Sequence, residues 1–386
     1  MSWKNSTLSE ISIIGDGAHT SLKRVDSGIP YLTAKNITKS GVDYSNMDYI
    51  SEETYNKHFK EKSNALTQPK TDDILYSIIG SIGGVYVVRD EKIGISSSVA
   101  IFRADCKKVL PHYLAYFLKS SSFNAQVQAI KGGVAQGFMS LGKLGTVNIT
   151  YPENIEYQKK IVDFLSAYDS LIENNQKQIK LLEEVAQRLY KDWFVDLHFP
   201  GYEDVDIVDG VPEGWNKELI GNVIGKVSRT KQIKTADYLL EGSIPIIDQS
   251  RDFIAGYTND SEALVNTGTP VIVFGDHTRI LKYIQFPFAK GADGTQLIIS
   301  DRTNMPQSLL YLSLIAVDLS NYHYARHFKY LKAASILMPS QDVADEFDRL
   351  ISLIFTQIQK MREKCYKLSQ ARDRLLPKLM SGEIEV

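Results

Sequence analysis

Two stretches of the chain carry apolar residues at the steps of three and four that are typical of long, paired helices. One stripe lies between residues 156 and 193, and a second lies between 343 and 376 at a constant offset of 186 residues. Asn175 and Arg372 are the polar interruptions. The predicted seam consists of Ile161, Leu165, Tyr168, Ile172, Asn175, Ile179, Leu182, Leu189, Phe347, Ile351, Ile354, Ile358, Met361, Cys365, Leu368 and Leu375.

Two readings of these stripes are open: ordinary amphipathic helices on a globular core, or two helices that pair as a coiled coil. Because the heptad step is kept twice over about five heptads, pairing is the favoured interpretation. At 1.5 Å per residue each helix would be about 50–57 Å long. Whatever precedes each helix would then be held far from its counterpart.

The segment before the first helix is predicted to be a mixed module made mostly of short strands. Strands are predicted at 29–33, 74–79, 84–88, 98–102 and 147–152, with glycines between them. One helix is predicted from Pro111, since proline is favoured in a first turn, and residues 131–137 are predicted to be a loop.

The second half of the chain repeats the plan of the first. Trp215 corresponds to Trp3, the strand containing Pro245 to the strand containing Pro30, and the strand before Pro339 to the strand that ends at Pro152. We therefore predict an α+β fold with a pseudo-twofold tandem duplication: two mixed modules separated by two long helices. The predicted divisions are a first module at 1–152, a first helix at 153–198, a linker at 199–214, a second module at 215–339, and a second helix with the C-terminal tail at 340–386.

Composition and charge narrow the possible class of protein. No run approaches eighteen apolar residues and the N-terminus lacks a signal-peptide pattern, so we expect a cytoplasmic protein without membrane segments. The net charge is −2, but residues 1–150 hold 17 Lys and Arg against 13 Asp and Glu, and residues 151–210 hold 6 against 13. Mildly basic modules joined by an acidic connector are compatible with contact to phosphates.

Motifs for chemistry are not found in the sequence. It contains no amino-methyltransferase motif, no phosphate-binding loop of the Gly-x-x-x-x-Gly-Lys type and no His-Glu-x-x-His zinc helix. The cysteines Cys106 and Cys365 are far apart without His or Cys neighbours, so neither a disulfide nor a metal site is expected. We therefore predict a chain with no catalytic residues and no metal ligands.

Several segments together closely resemble the specificity subunit of type I restriction–modification systems. They are the tandem plan itself, the closing segment 375–384 (LLPKLMSGEI), the restart 212–215 (PEGW), the segment 29–37 (IPYLTAKNI) and the helix opening 158–161 (QKKI). The resemblance covers essentially the whole chain. It implies two target-recognition domains, each binding one half of a split DNA site, with an antiparallel coiled coil between them.

The resemblance also implies partners. The chain would bind double-stranded DNA and two copies of a methyltransferase subunit that carries S-adenosylmethionine, flips the target adenine and methylates it at N6. Where a restriction and motor subunit is present, two copies of it, using ATP and Mg, would join. The chain itself would bind no cofactor, and its system would serve in prokaryotic defence through DNA methylation and restriction.

Candidate DNA contacts are the side chains that can pair with base edges or phosphates from exposed loops. In the first module they are Lys23, Arg24, Thr33, Lys35, Asn36, Ser77, Ser81, Lys131, Gln136 and Lys143. In the second they are Gln249, Ser250, Arg251, His277, Thr278, Arg279, Lys290, His327 and Lys329.

A rival hypothesis belongs to a different class: a coiled-coil scaffold whose two modules bind proteins or small ligands. The nearly neutral charge of the modules is compatible with it. Salt dependence separates the two hypotheses, because binding to DNA phosphates weakens steeply as salt rises.

Overall fold

The structure is a computed structural model that describes residues 2–38, 41–61, 65–80, 82–131, 139–322 and 326–386. The chain forms two compact units, the first made of residues 1–173 with 366–386 and the second of residues 174–365. Each unit therefore contains one module and a stretch of each long helix. None of the helices in the described part of the chain has the length and apolar character of a membrane span.

In its described residues the module of the first unit contains eleven short strands and five helices. Its strands are β1 (Trp3–Thr7), β2 (Ser12–Asp16), β3 (Ile29–Leu32), β4 (Ile37–Thr38), β5 (Gly41–Val42), β6 (Asp48–Ile50), β7 (Ile74–Ser77), β8 (Val85–Val87), β9 (Gly94–Ile95), β10 (Val99–Ala104) and β11 (Asn148–Pro152). Its helices are α1 (Leu8–Ile11), α2 (Glu52–His58), α3 (Pro111–Lys119), α4 (Ser121–Lys131) and α5 (Leu141–Gly145). Of the predicted loop at 131–137, Lys131 ends α4 and the remainder lies outside the described residues.

A four-stranded antiparallel sheet in the order β2-β10-β7-β8 separates two hydrophobic cores in the first unit. Successive side chains of a strand point to opposite faces. Tyr76 and Phe102 accordingly pack with the helices, whereas Leu75 and Ile101 pack against a smaller sheet in the order β6-β3-β9. In this smaller sheet β3 and β9 are parallel, so their C-terminal ends lie side by side.

Where the second unit is described, it continues the chain with twelve strands and three short α-helices. Its strands are β12 (Ile207–Val208), β13 (Val211–Pro212), β14 (Asn216–Leu219), β15 (Ile224–Gly225), β16 (Ile244–Ile247), β17 (Gly256–Thr258), β18 (Leu264–Val265), β19 (Val271–Gly275), β20 (Leu281–Ile284), β21 (Phe288–Lys290), β22 (Thr295–Ser300) and β23 (Ser335–Met338). Between the strands lie α7 (Ile220–Val223), α8 (Gln307–Ile315) and α9 (Phe328–Ala333).

The two units share one topology. The sheet β15-β22-β19-β20 of the second unit repeats the order β2-β10-β7-β8, and the antiparallel pair β14 and β23 repeats the pair β1 and β11. The parallel pair β16 and β21 likewise repeats β3 and β9. The predicted α+β class and tandem duplication are therefore confirmed.

The two long helices are α6 (Ile155–Phe194) and α10 (Gln341–Ser381). In the first unit, Asp169 on α6 accepts a hydrogen bond from Arg372 on α10, with Oδ1 and Nη1 2.5 Å apart, and a second from Tyr116 Oη at 2.7 Å. In the second unit the rings of Trp193 and Phe347 lie 5.4 Å apart. In the same unit Glu183 of α6 pairs with Arg362 of α10, whereas Trp193, farther along α6, meets Phe347, which lies earlier on α10, so the helices run antiparallel. Arg372 interrupts the apolar stripe and pairs with Asp169.

The predicted seam residues all lie on the inner side of these helices. Ile161, Leu165, Asn175, Phe347, Ile351 and Ile358 are buried, and the other ten predicted seam residues are half-buried. Phe355, which the heptad pattern omits, is also buried because it stacks on Tyr283 of β20, with ring centroids 4.6 Å apart. The start of α10 therefore contacts its own module on a second face.

The segment predicted as a linker, residues 199–214, packs on the second unit instead of running freely. It contains a short 3-10 turn at Tyr202–Asp204 and the β12–β13 hairpin. Phe199 is buried, and its ring lies 4.6 Å from that of Trp215. This aromatic contact joins the end of α6 to the start of the second module.

Candidate nucleic-acid interface

In the first unit, polar loops meet where the parallel strands β3 and β9 end. The loop at 33–36 follows β3, and the turn at 96–98 follows β9. The described parts of the β7–β8 connection, residues 78–80 and 82–84, join them, because the Ile78 N–H donates to the Ser98 carbonyl at 2.9 Å. We call these three segments the first loop cluster.

Two of the candidate side chains point inward at the first loop cluster: Asn36 in the loop after β3, and Ser77 at the end of β7. Asn36 is buried, and its Oδ1 accepts hydrogen bonds from the N–H and the hydroxyl of Thr33, both at 2.9 Å. Ser77 is fully buried, and its hydroxyl oxygen accepts the Gly84 N–H at 2.8 Å. Both residues therefore shape the loops, whereas Lys35 beside Asn36 is exposed and can contact a ligand.

The remaining candidates of the first module are scattered. Lys23 and Arg24 are exposed, and Arg24 lies over the Tyr31 ring and pairs with Asp48 at 3.0 Å. Lys143 is exposed on α5, which packs on α1 and β2. The side chain of Lys131, and all of Ser81 and Gln136, lie outside the described residues.

The second unit assembles an equivalent group of loops at the ends of the parallel strands β16 and β21. The segments 248–251, 276–280, 291–294 and 327–329 form this second loop cluster. The Asp276 N–H donates to the Gly294 carbonyl at 2.7 Å, as the Ile78 N–H donates to the Ser98 carbonyl in the first unit. All nine candidates predicted for the second module lie in these segments or, for Lys290, at the end of β21.

One histidine of the second loop cluster is a buried part of the turn. The ring nitrogens of His327 lie 2.8 Å from the Asp276 carbonyl oxygen and 2.7 Å from the Tyr322 carbonyl oxygen. The buried Asp276 carboxylate accepts the Phe328 N–H at 2.8 Å, where α9 begins. These contacts hold the start of α9 against the loop that carries His277. Both nitrogens of the His327 ring already face a carbonyl oxygen of the protein, so the ring is not available to a ligand.

The exposed candidates of the second loop cluster can present donors to a ligand. His277, Thr278 and Arg279 form a turn on the surface, and Arg279 has a positive φ of 62°. A positive φ is costly for an arginine and is found where surrounding structure enforces it. Its Nη1 donates to the Leu319 carbonyl at 3.1 Å, and its exposed guanidinium has further N–H donors that can point outward.

A buried lysine binds the backbone of the loop that carries Arg251. Lys282 is 5 % exposed, and its ammonium donates to the Asp252 carbonyl at 2.5 Å. Burial lowers the pKa of Lys282 to about 8, while Asp248 and Asp252 oppose this shift. Asp248 itself is buried and accepts the Ser250 N–H at 2.9 Å and the Tyr238 hydroxyl at 3.1 Å.

Sequence reasoning missed the segment that leads into the parallel bridge at Ile233. The Ile233 N–H donates to the Lys290 carbonyl at 3.0 Å, and Gln232 Nε2 donates to Asp293 Oδ1 at 3.3 Å. Burial lowers the pKa of Lys290, Asp293 opposes this shift, and the charge of Arg229 adds to it. The sequence feature that could have indicated this segment is the stretch from Lys226 to Lys234, which contains four basic residues and no acidic residue.

The chemistry of the second loop cluster suits recognition of polar edges and phosphates. It presents guanidinium, imidazole, ammonium and hydroxyl groups from loops on a rigid double sheet, which are the groups that proteins use on bases and DNA backbones. Within the described ranges, no three His, Cys, Asp or Glu side chains come together in a way that could hold a metal ion.

Comparison with known proteins gives consistent matches over the whole chain. Residues 1–184 match the family described as type I restriction modification DNA specificity domain. The MjaIX specificity subunit of a type I restriction enzyme from Methanocaldococcus jannaschii is 25% identical, covering 100% of this chain and 94% of that protein. The putative MjaX specificity subunit from the same organism is 23% identical over the same shares.

Among solved structures, the fold matches the S subunit of a type I restriction–modification system from M. genitalium. The TM-score is 0.54 at 16% identity, and the match covers 98% of this chain and 96% of that one. At this level of identity the likeness concerns the fold.

Proposed function

We propose that this chain, which belongs to the family of type I restriction–modification specificity subunits, recognises the two halves of a split DNA site, one with each unit. Family membership makes it a non-catalytic DNA-recognition subunit of a larger complex. The division of the site between the units is our proposal. The single observation that carries it is that two units of one topology present different side chains from equivalent loops.

In this proposal the loop clusters contact the DNA. In the first unit, Lys35, Lys23 and Arg24 would contact the first half-site. In the second unit, the second half-site would be contacted by the turn at 277–279 together with Arg251, Lys290 and Lys329. Arg229 joins the second set because it belongs to the cationic run 226–234, which leads into the bridge between Ile233 and Gly291. Equivalent loops with different side chains would give two half-sites of different sequence.

The long helices would set the distance between the half-sites. Helices of 40 and 41 residues are about 60 Å long at 1.5 Å per residue. One turn of duplex is about 34–36 Å. We therefore expect base pairs that no side chain contacts between the two recognised halves.

The partners follow from the same proposal. Two copies of a methyltransferase subunit, each with S-adenosylmethionine, would bind the two similar units, because a duplicated chain presents similar surfaces twice. A restriction and motor subunit using ATP and Mg would complete the enzyme where the system has one.

Exchanging one module tests the proposal directly. The chain is expressed with its methyltransferase subunit, and methylated adenines are mapped by single-molecule sequencing, before and after residues 1–152 are replaced by the corresponding module of a relative. We expect a bipartite motif in which only one half changes. Methylation that is unchanged when this chain is left out would contradict the proposal, and a change in both halves would contradict the division between units.

A smaller substitution tests the turn at 277–279. Arg279→Ala is expected to weaken binding to the methylated motif by about 1–3 kcal/mol, the range for a lost base contact, and to weaken binding to unrelated DNA much less. Fluorescence anisotropy at one fixed salt concentration measures both affinities. The matched control is Arg349→Ala, an exposed arginine on α10 that pairs only loosely with Glu346 at 3.9 Å. Equal losses on both DNAs would rule out base recognition by Arg279.

A further inference from the structure

The side chain of Gln249 joins three loops of the second loop cluster. Its Nε2 donates to the Asp293 carbonyl at 2.6 Å, and its Oε1 accepts the His277 N–H at 3.2 Å. Its own carbonyl accepts the Thr278 hydroxyl at 2.8 Å. Because the Nε2 faces a carbonyl and the Oε1 faces an N–H, only one orientation of the amide satisfies both contacts.

Two glycines leave room for this side chain and keep it in place. A β-carbon on Gly294 would lie 2.7 Å from the His277 ring and 2.9 Å from Gln249 Nε2. A β-carbon on Gly275 would overlap the Thr278 hydroxyl and lie 2.9 Å from the Gln249 β-carbon. Contacts under 3.0 Å require neighbouring atoms to move, so any larger residue at either position would displace the Gln249 bridge.

The first unit makes the equivalent connection with a different residue. Ala34, the topological counterpart of Gln249, has no polar side chain, and its N–H donates to the Ser98 hydroxyl at 2.9 Å. The Ser98 carbonyl in turn accepts the Ile78 N–H at 2.9 Å. In the first unit the turn after β9 therefore supplies the bridging side chain, whereas in the second unit the loop after β16 supplies it.

We infer that Gln249 is a positioning residue that holds the His277–Arg279 turn and the Asp293–Gly294 turn in the geometry needed for recognition, and that it does not itself contact a base. This inference rests on the proposed function. A glutamine that reads adenine uses both its amide oxygen and its amide nitrogen on the base. In Gln249 the amide nitrogen and the amide oxygen each contact a neighbouring turn, and these two contacts fix the plane of the amide inside the cluster.

The test substitutes Gln249→Met in the complex of the full chain with its methyltransferase subunit, since methionine has a similar length and cannot make either hydrogen bond. Methylation rates are measured on a DNA library in which every base pair of both half-sites is varied singly. Discrimination is the ratio of the methylation rate on the preferred base pair to the rate on a substituted one. We expect this ratio to fall about tenfold at two or more base pairs of one half-site and to stay unchanged in the other. The matched control is Gln232→Met, which loses one longer hydrogen bond at the same edge.

A double-mutant cycle separates positioning from direct contact. If Gln249 acts by placing the turn, Gln249→Met lowers discrimination by less than about threefold when Arg279 is already replaced by alanine. A loss confined to one base pair, or the full tenfold loss in both backgrounds, would overturn the inference. Discrimination equal to that of the unmodified chain would also overturn it.

Two further measurements keep the outcome unambiguous. If Gln249→Met lowers the melting temperature of the complex, Thr278→Ala replaces it as the test, because it removes the hydrogen bond to the Gln249 carbonyl, with a longer one of 3.4 Å from the Ile280 N–H, and is expected to relax the same half-site. A library that shows no sequence preference even with the unmodified chain would refute the proposed function itself, whereas an unaffected Gln249→Met variant would refute only the positioning role.

Discussion

Replacing Phe347 by alanine is expected to destabilise the second unit by about 3–5 kcal/mol, the cost of removing a fully buried aromatic side chain. Phe347 is 0% exposed on α10. Its ring lies 4.8 Å from that of Phe194 in an edge-to-face arrangement and 5.4 Å from that of Trp193. The alanine variant would leave a cavity between the two long helices at the point where both contact the second module.

Tryptophan fluorescence during urea unfolding measures this effect, since Trp193 and Trp215 belong to the same buried cluster. Leu353→Ala is the matched control: Leu353 lies on the same helix and is 67% exposed, so its loss is expected to stay below about 0.5 kcal/mol. A cost below about 1 kcal/mol for Phe347→Ala would mean that the helices do not pack as described in this unit.

Replacing Arg103 by methionine is expected to destabilise the first unit by about 2–3 kcal/mol. The Arg103 guanidinium binds the Asp73 carboxylate through two hydrogen bonds of 2.8 and 2.6 Å, and Asp73 is 2% exposed. Hydrogen bonding to Asp73 is the main reason that the pKa of Arg103 is raised. Removing the cation leaves a carboxylate buried without its partner, which costs about 3–5 kcal/mol when the pair is fully buried. We expect less here because the Arg103 side chain is 33% exposed.

Circular dichroism during urea unfolding measures the Arg103 effect. Arg24→Met removes a more exposed pair with Asp48 and is expected to cost less than about 1 kcal/mol. Adding Asp73→Asn to Arg103→Met should recover part of the loss, because a neutral amide is less costly to bury than an unpaired carboxylate. If the double variant is no more stable than Arg103→Met, the buried charge is not the cause of the loss.

The candidate site was only partly predictable from residue types. By residue type, Lys35, Asn36 and Arg251 are equally good candidates for DNA contact. In the structure, however, Asn36 closes its own turn, whereas Lys35 is exposed. His327 was selected for the same reason as His277, but its ring is buried between two carbonyl groups. Whether a polar side chain points inward depends on donors and acceptors that come from distant strands, and those neighbours cannot be read from its own segment.

By itself the sequence determined the periodic features of this protein. These are two long helices with a matched apolar stripe, and short strands in two modules that repeat one plan along the chain. Such features follow from the repeat of 3.6 residues in a helix and 2 in a strand, which are properties of short segments. Only the tertiary structure decided which loops meet. Parallel pairing of β16 with β21 brings Gln249 against Asp293 and, with the loop after β19, against His277, and the bridge at Ile233 brings Gln232 to the same edge. These contacts join residues 28 to 61 positions apart, so they arise from strand order and not from local pattern.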